Sequence, residues 1–202
     1  ATSGRTTLNG EGLQHQDGHS HILSSTIPNC RSYDPAYGYE LAAIVKNGIE
    51  EMFCNLKNVF YYLTVTNENY LQPSMPNNCE EGIINGIYCL EKINDPDILL
   101  FGSGAILNEC LKAHEILKQF DITSEVWSVT SFNMLRKDGM EIENVNLKNP
   151  SQTPQASYVE QSFAHENIPA VAATDYMRAY AEQIRPFVTV SYTHLRAHET
   201  SE

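Results

Sequence analysis

The chain has 202 residues, 42% hydrophobic and 19% charged, so it holds enough apolar material to bury the core of one large or two small domains and is not a disordered tail. A formal charge of −12, from 13 basic and 25 acidic side chains, argues against a nucleic-acid backbone or an anionic membrane surface as the main partner. No apolar run approaches the ~18–20 residues of a membrane span, no apolar signal core opens the chain, and five cysteines without a C-x-x-C pair fit a reducing cytoplasm.

Residues 1–29 hold Gly4, Gly10, Gly12 and Gly18 together with three histidines and show no helical apolar period, which predicts a loop-rich segment of the kind where sites sit. Asp34 before Pro35 forms a cap and first-turn pair. Leu41, Val45, Ile49 and Met52 then recur at helical spacing, predicting a helix over 35–53. Residues 59–65 are dense in β-branched and aromatic side chains and predict a buried strand. Pro73 and Pro76 among asparagines break regular structure over 67–78. A short helix is expected within 80–93, with Ile83, Ile87 and Leu90 on one side, weakened by Gly82 and Gly86 at ~1 kcal/mol each.

Beyond this point the pattern alternates: a strand over 98–101, a helix over 105–119, strands over 126–130 and 170–173, and a helix over 175–184. Such alternation implies an α/β fold with a mostly parallel sheet. Residues 140–155 have little periodicity and two prolines, and predict an irregular excursion. Residues 191–202 lack an apolar face and predict a loosely placed terminus. The expected layout is therefore a first domain over 1–78, a linker with a short helix over 79–96, an α/β domain over 97–190 and a tail over 191–202.

His15, Asp17, His19 and His21 fall within seven residues, interleaved with glycine. Imidazole holds or releases a proton near neutral pH, and glycine lets backbone approach a ligand, so this loop is the candidate site. A solvated polar turn would have the same composition. The four side chains also offer enough nitrogen and oxygen donors for zinc, but no H-E-x-x-H helix presents them, and no metal site is expected. Gly102, Ser103 and Gly104 follow a strand and open a helix as in a dinucleotide-binding turn. Leu107 stands where the third glycine belongs and no acidic residue ends the next strand, so tight strand-to-helix packing is expected instead. His114, His165, Trp127, Tyr61 and Tyr62 read as packing or surface residues.

The string Thr-Thr-Leu-Asn-Gly-Glu-Gly-Leu-Gln-His-Gln-Asp-Gly-His-Ser-His over 6–21 is more specific. It is followed by Ile-Pro-Asn from Ile27, Tyr-Asp-Pro-Ala-Tyr from Tyr33, Asn-Glu-Asn-Tyr from Asn67, Met75 with Pro76, Glu-Glu-Gly from Glu80, Gly102 with Gly104, Ser-Val-Thr-Ser-Phe from Ser128 and Thr-Asp-Tyr-Met from Thr174. In this order the chain resembles, from its start to about Val188, the homodimeric bacterial pyruvate dehydrogenase E1 family, relatives of transketolase.

The resemblance implies that 1–78 is the end of a transketolase-like pyrimidine-binding domain and that the rest is a transketolase-type carboxy-terminal domain, truncated. It implies a cytoplasmic enzyme that uses thiamin diphosphate and Mg²⁺ in the intact parent to decarboxylate pyruvate and acetylate lipoyl groups on an E2 partner. His15 matches the family's active-site histidine; Asp17, His19 and His21 match neighbouring pocket positions. Transketolase itself tends to read G-E-D-G-P-T-H in this loop, where the present chain has histidine. The chain has no G-D-G segment; its D-G pairs are Asp17 with Gly18 and Asp138 with Gly139. No cofactor ligand is therefore assigned, and a fragment that is inactive alone is expected. Residues 191–202 depart from the family and resemble translated foreign sequence. A non-catalytic metal- or partner-binding module is the competing class.

Overall fold

Two sheets organise the chain in a computed structural model that describes Gly4, Thr6 and residues 13–163, 168–188 and 191–196. In the first, β1 (Cys30–Tyr33) and β2 (Phe60–Leu63) pair in parallel with Cys30 opposite Phe60. The helix α2 (Gly38–Ile49) and a π-helical turn (Glu50–Cys54) connect them, close to the helix expected over 35–53. The start of α2 is fixed by Glu40, whose carboxylate reaches back to the backbone N–H groups of Ala36 (2.5 Å) and Tyr37 (3.0 Å).

The second sheet has five strands in the order β3-β5-β4-β6-β7. The strands β4 (Ile98–Gly102), β5 (Ser124–Val129) and β6 (Ala170–Thr174) are parallel, as the alternation requires. Between them run α4 (Leu107–Lys118) and α5 (Phe132–Lys148). A β-carbon on Gly102 would lie 2.6 Å from Leu107 Cα, so this glycine allows β4 and the following helix to approach closely, and the turn is one of packing. The main core lies between this sheet and α5, with Leu99, Phe101, Val129, Phe132, Leu135 and Ala172 fully buried.

Three expectations are corrected. The linker over 79–96 is not one: α3 (Glu80–Asn85) packs on α2, and β3 (Ile87–Glu91) pairs antiparallel with β5 as an edge of the second sheet. Its β-branched and aromatic start, Ile87 and Tyr88, outweighs the helical spacing. The excursion over 140–155 is largely the second half of α5. Its inner face ends at Gly139, and Met140 and Leu147 are exposed, which erases the apolar period.

The third concerns the tail. β7 (Tyr192–Arg196) pairs in parallel with β6 from Ala170 opposite Tyr192 onwards. Backbone hydrogen bonds and one anchor replace an apolar face: the Tyr192 ring is buried and its hydroxyl donates to Ala181 O at 2.9 Å. Residues 197–202 lie outside those described.

Candidate functional site

The histidine loop ends in a single 3-10 turn, Leu13–His15, and passes into α1 (Ser20–Ser25). The Asp17 carboxylate accepts from the backbone N–H groups of His19 and Ser20, both at 3.0 Å, and from the Ser20 hydroxyl, so it starts α1 as a cap. Burial raises its carboxyl, but the hydrogen bonds from Ser20 and His19 outweigh that and hold it below the ordinary carboxylate value.

The four candidate residues differ in placement. His15 and His19 are exposed, Asp17 is committed to its cap, and His21 is fully buried. The His21 ring stacks on Tyr180 at 4.9 Å and meets the edge of Tyr176 at 4.6 Å. Its Nδ1 lies 3.3 Å from Ser32 Oγ and its Nε2 lies 3.0 Å from Thr64 Oγ1. Asn133 donates to Ser32 Oγ at 2.5 Å and Thr64 donates to Asp34 at 2.6 Å, which leaves Nε2 as the protonated nitrogen. Hydrogen bonds thus run in one sense, from Asn133 through Ser32, His21 and Thr64 to Asp34. Burial pushes His21 down to about 3, against the attraction of Asp17, so the ring is neutral.

Asp34 and Glu40 were not selected from sequence as site residues, yet both are buried where the two sheets meet. Asp34 N donates to Thr130 O at 2.8 Å and Gly104 N donates to Asp34 O at 3.1 Å, so the carboxyl end of β1 abuts those of β5 and β4. Ligands of α/β sheets usually sit at such ends; here another part of the same chain fills the position. Burial raises Asp34 to about 7, opposed by the Thr64 hydrogen bond and reinforced by Asp175. Glu40 also accepts from Tyr88 and Ser128 hydroxyls, both at 2.6 Å, which joins α2 to β3 and β5.

The two other histidines singled out from sequence differ in outcome. His114 is buried with Nδ1 2.7 Å from Ser124 Oγ, and His165 lies outside the described residues. Among the described residues no group of three or more His, Cys, Asp or Glu side chains is arranged to hold a metal ion.

Residues 1–73 match the family model of the pyruvate dehydrogenase E1 component middle domain, and residues 86–195 match that of the transketolase-like TK C-terminal domain. The chain is 54% identical over 191 residues to the pyruvate dehydrogenase E1 component of Pseudomonas aeruginosa, covering 93% of this chain and 22% of the relative. It is 53% identical to that of Escherichia coli K12, covering 93% and 21%. It therefore spans about a fifth of the length of these relatives. Among solved structures it is similar to a transketolase of Pichia stipitis, with a TM-score of 0.71 at 18% identity over 98% of this chain and 25% of the other. It is also similar to the transketolase of Leishmania mexicana, with a TM-score of 0.67 at 15% identity over 98% and 25%. At these identities the two structures show the fold alone.

Proposed function

Because the chain belongs to the pyruvate dehydrogenase E1 family of transketolase-like proteins, we propose that it carries the histidine loop and carboxy-terminal domain of a pyruvate-decarboxylating enzyme. That enzyme uses thiamin diphosphate and Mg²⁺ and acetylates lipoyl groups on an E2 partner. The observation supporting the reading most strongly is the 54% identity over 191 residues to a protein of that description. The same reading makes the enzyme a homodimer of the cytoplasm. Separately, no helix among the described residues is long and apolar enough to cross a membrane.

No diphosphate or cation ligand is assigned to a residue of this chain. The cofactor is a property of the longer enzyme, and this chain's share of the chemistry is acid–base. His15 is exposed and carries a proton to or from the reacting group, a task suited to imidazole. Asp17 sets the turn that follows it by accepting from the His19 and Ser20 backbone N–H groups, His19 is carried exposed beside His15 as a supporting residue, and His21 holds α1 in the core.

In the full-length enzyme carrying this sequence, His15→Ala is expected to lower turnover with lipoyl acceptor at least about tenfold, roughly 1.4 kcal/mol of transition-state stabilisation. Unchanged rates with both lipoyl and artificial acceptors would remove His15 from the mechanism. Calorimetry of this chain alone with thiamin diphosphate and Mg²⁺ is expected to show no tight binding, and a dissociation constant of about 1 μM, near 8 kcal/mol, would contradict the assignment of the ligands to the longer protein.

A further inference from the structure

The chain on either side of His15 is held by the same three successive residues of the carboxy-terminal domain. Before it, Thr6 donates through its backbone N–H (2.7 Å) and its hydroxyl (2.8 Å) to the two carboxylate oxygens of Asp175. Gly4 N donates to the Tyr176 hydroxyl at 3.2 Å. After it, Met177 N donates to Gly18 O at 3.0 Å. Asp17 N also donates to Gly4 O at 3.1 Å, so the two ends of the loop lie side by side. Gly4 has φ +51°, and a β-carbon there would fall 2.2 Å from Asp175 Oδ2, so the close approach requires glycine.

Asp175, Tyr176 and Met177 form the turn between β6 and α6 (Arg178–Glu182). The turn is itself fixed: Asp175 and Tyr176 are buried, Tyr176 N donates to Thr174 Oγ1 at 3.3 Å, and the Tyr176 ring packs against His21 and Tyr180. We propose that this turn positions His15, with Asp175 as the positioning residue, and that the carboxy-terminal domain thereby takes part in catalysis without supplying a reacting group. The inference rests on His15 being the acid–base residue. A loop closed at its base loses conformational freedom before substrate arrives, and hydrogen bonds to a carboxylate are the stronger kind. Misplacement of a catalytic group by about 1 Å costs on the order of a hundredfold in rate.

The test compares Asp175→Ala, Asp175→Asn and Thr6→Val in the full-length enzyme, each alone and combined with His15→Ala. Asp175→Ala is expected to lower kcat at least about fivefold while KM for pyruvate changes less than about twofold. Asp175→Asn, which keeps an acceptor oxygen, recovers most of the loss, and Thr6→Val falls between. In the His15→Ala background none of the three lowers the rate further, because the residue they act through is gone. An unchanged kcat in Asp175→Ala, or the same loss with and without His15, overturns the inference. If Asp175→Ala does not fold, Thr6→Val decides, and an unchanged kcat there overturns it. A loss in His15→Ala without one in Asp175→Ala overturns the inference alone. No loss in His15→Ala overturns the functional reading and the inference with it.

Discussion

His21 and Asp34 titrate with opposite consequences although a single hydroxyl, that of Thr64, joins them. Burial depresses His21 from 6.5 to about 3, so its contribution to stability is complete above 6.5 and is lost as pH falls towards 3. Burial raises Asp34 from 3.8 to about 7, so its contribution is complete below 3.8 and is lost as pH rises through 7. Asp175 and Glu40 face Asp34 and reinforce the rise. Between about pH 4 and 6.5 the two slopes, each on the order of 1 kcal/mol per pH unit, oppose one another. Removing either group exposes the other. Asp34→Asn is expected to unfold more readily as pH drops from 6.5, and His21→Gln as pH rises from 4 to 7. Urea unfolding at stepped pH measures both, and a parallel response of the two variants would refute the opposition.

At the scale of elements, the ones legible in the sequence are those whose signal is local. β4, β6, α2 and α4 carry apolar runs or periods that their own residues complete, whereas β1 (Cys-Arg-Ser-Tyr) and β7 (Tyr-Thr-His-Leu-Arg) are mostly polar and are strands only through the neighbours they pair with. α5 was half hidden because its outer turns pack on little. β7 makes the sharpest test, since composition gave no reason to expect it. Tyr192 lies under the Arg185 guanidinium, 5.2 Å from the ring centre, and its hydroxyl is bonded to Ala181. Tyr192→Ala should destabilise the chain by about 3 kcal/mol and Tyr192→Phe by about 1 kcal/mol, as read by thermal or urea unfolding. A change below about 0.5 kcal/mol for Tyr192→Ala, the range of surface substitutions, would mean that β7 adds nothing to the sheet.

At the scale of the molecule, two carboxylates bind the halves together, and neither could be read from sequence. The partners of Glu40 include Ser128, 88 residues away, so no local pattern identifies its role. Only the histidine motif was visible, through family resemblance, and its division into exposed and buried members was not. Glu40→Ala strands two hydroxyls and two backbone N–H groups and is expected to cost about 3 kcal/mol, against about 1 kcal/mol for Glu40→Gln, in urea unfolding of the chain. Equal costs would show that one retained acceptor oxygen contributes nothing without the carboxylate's charge and second acceptor. The bond from Thr6 to Asp175 spans 169 residues. At ribosomal speeds of about 5–20 residues per second, the histidine loop waits roughly 10–30 s after its own synthesis before the turn that holds it exists. The two ends of the histidine loop are thus joined to their anchoring turn only after the whole intervening chain has been made, so the loop's tether is a late event in synthesis relative to the loop itself.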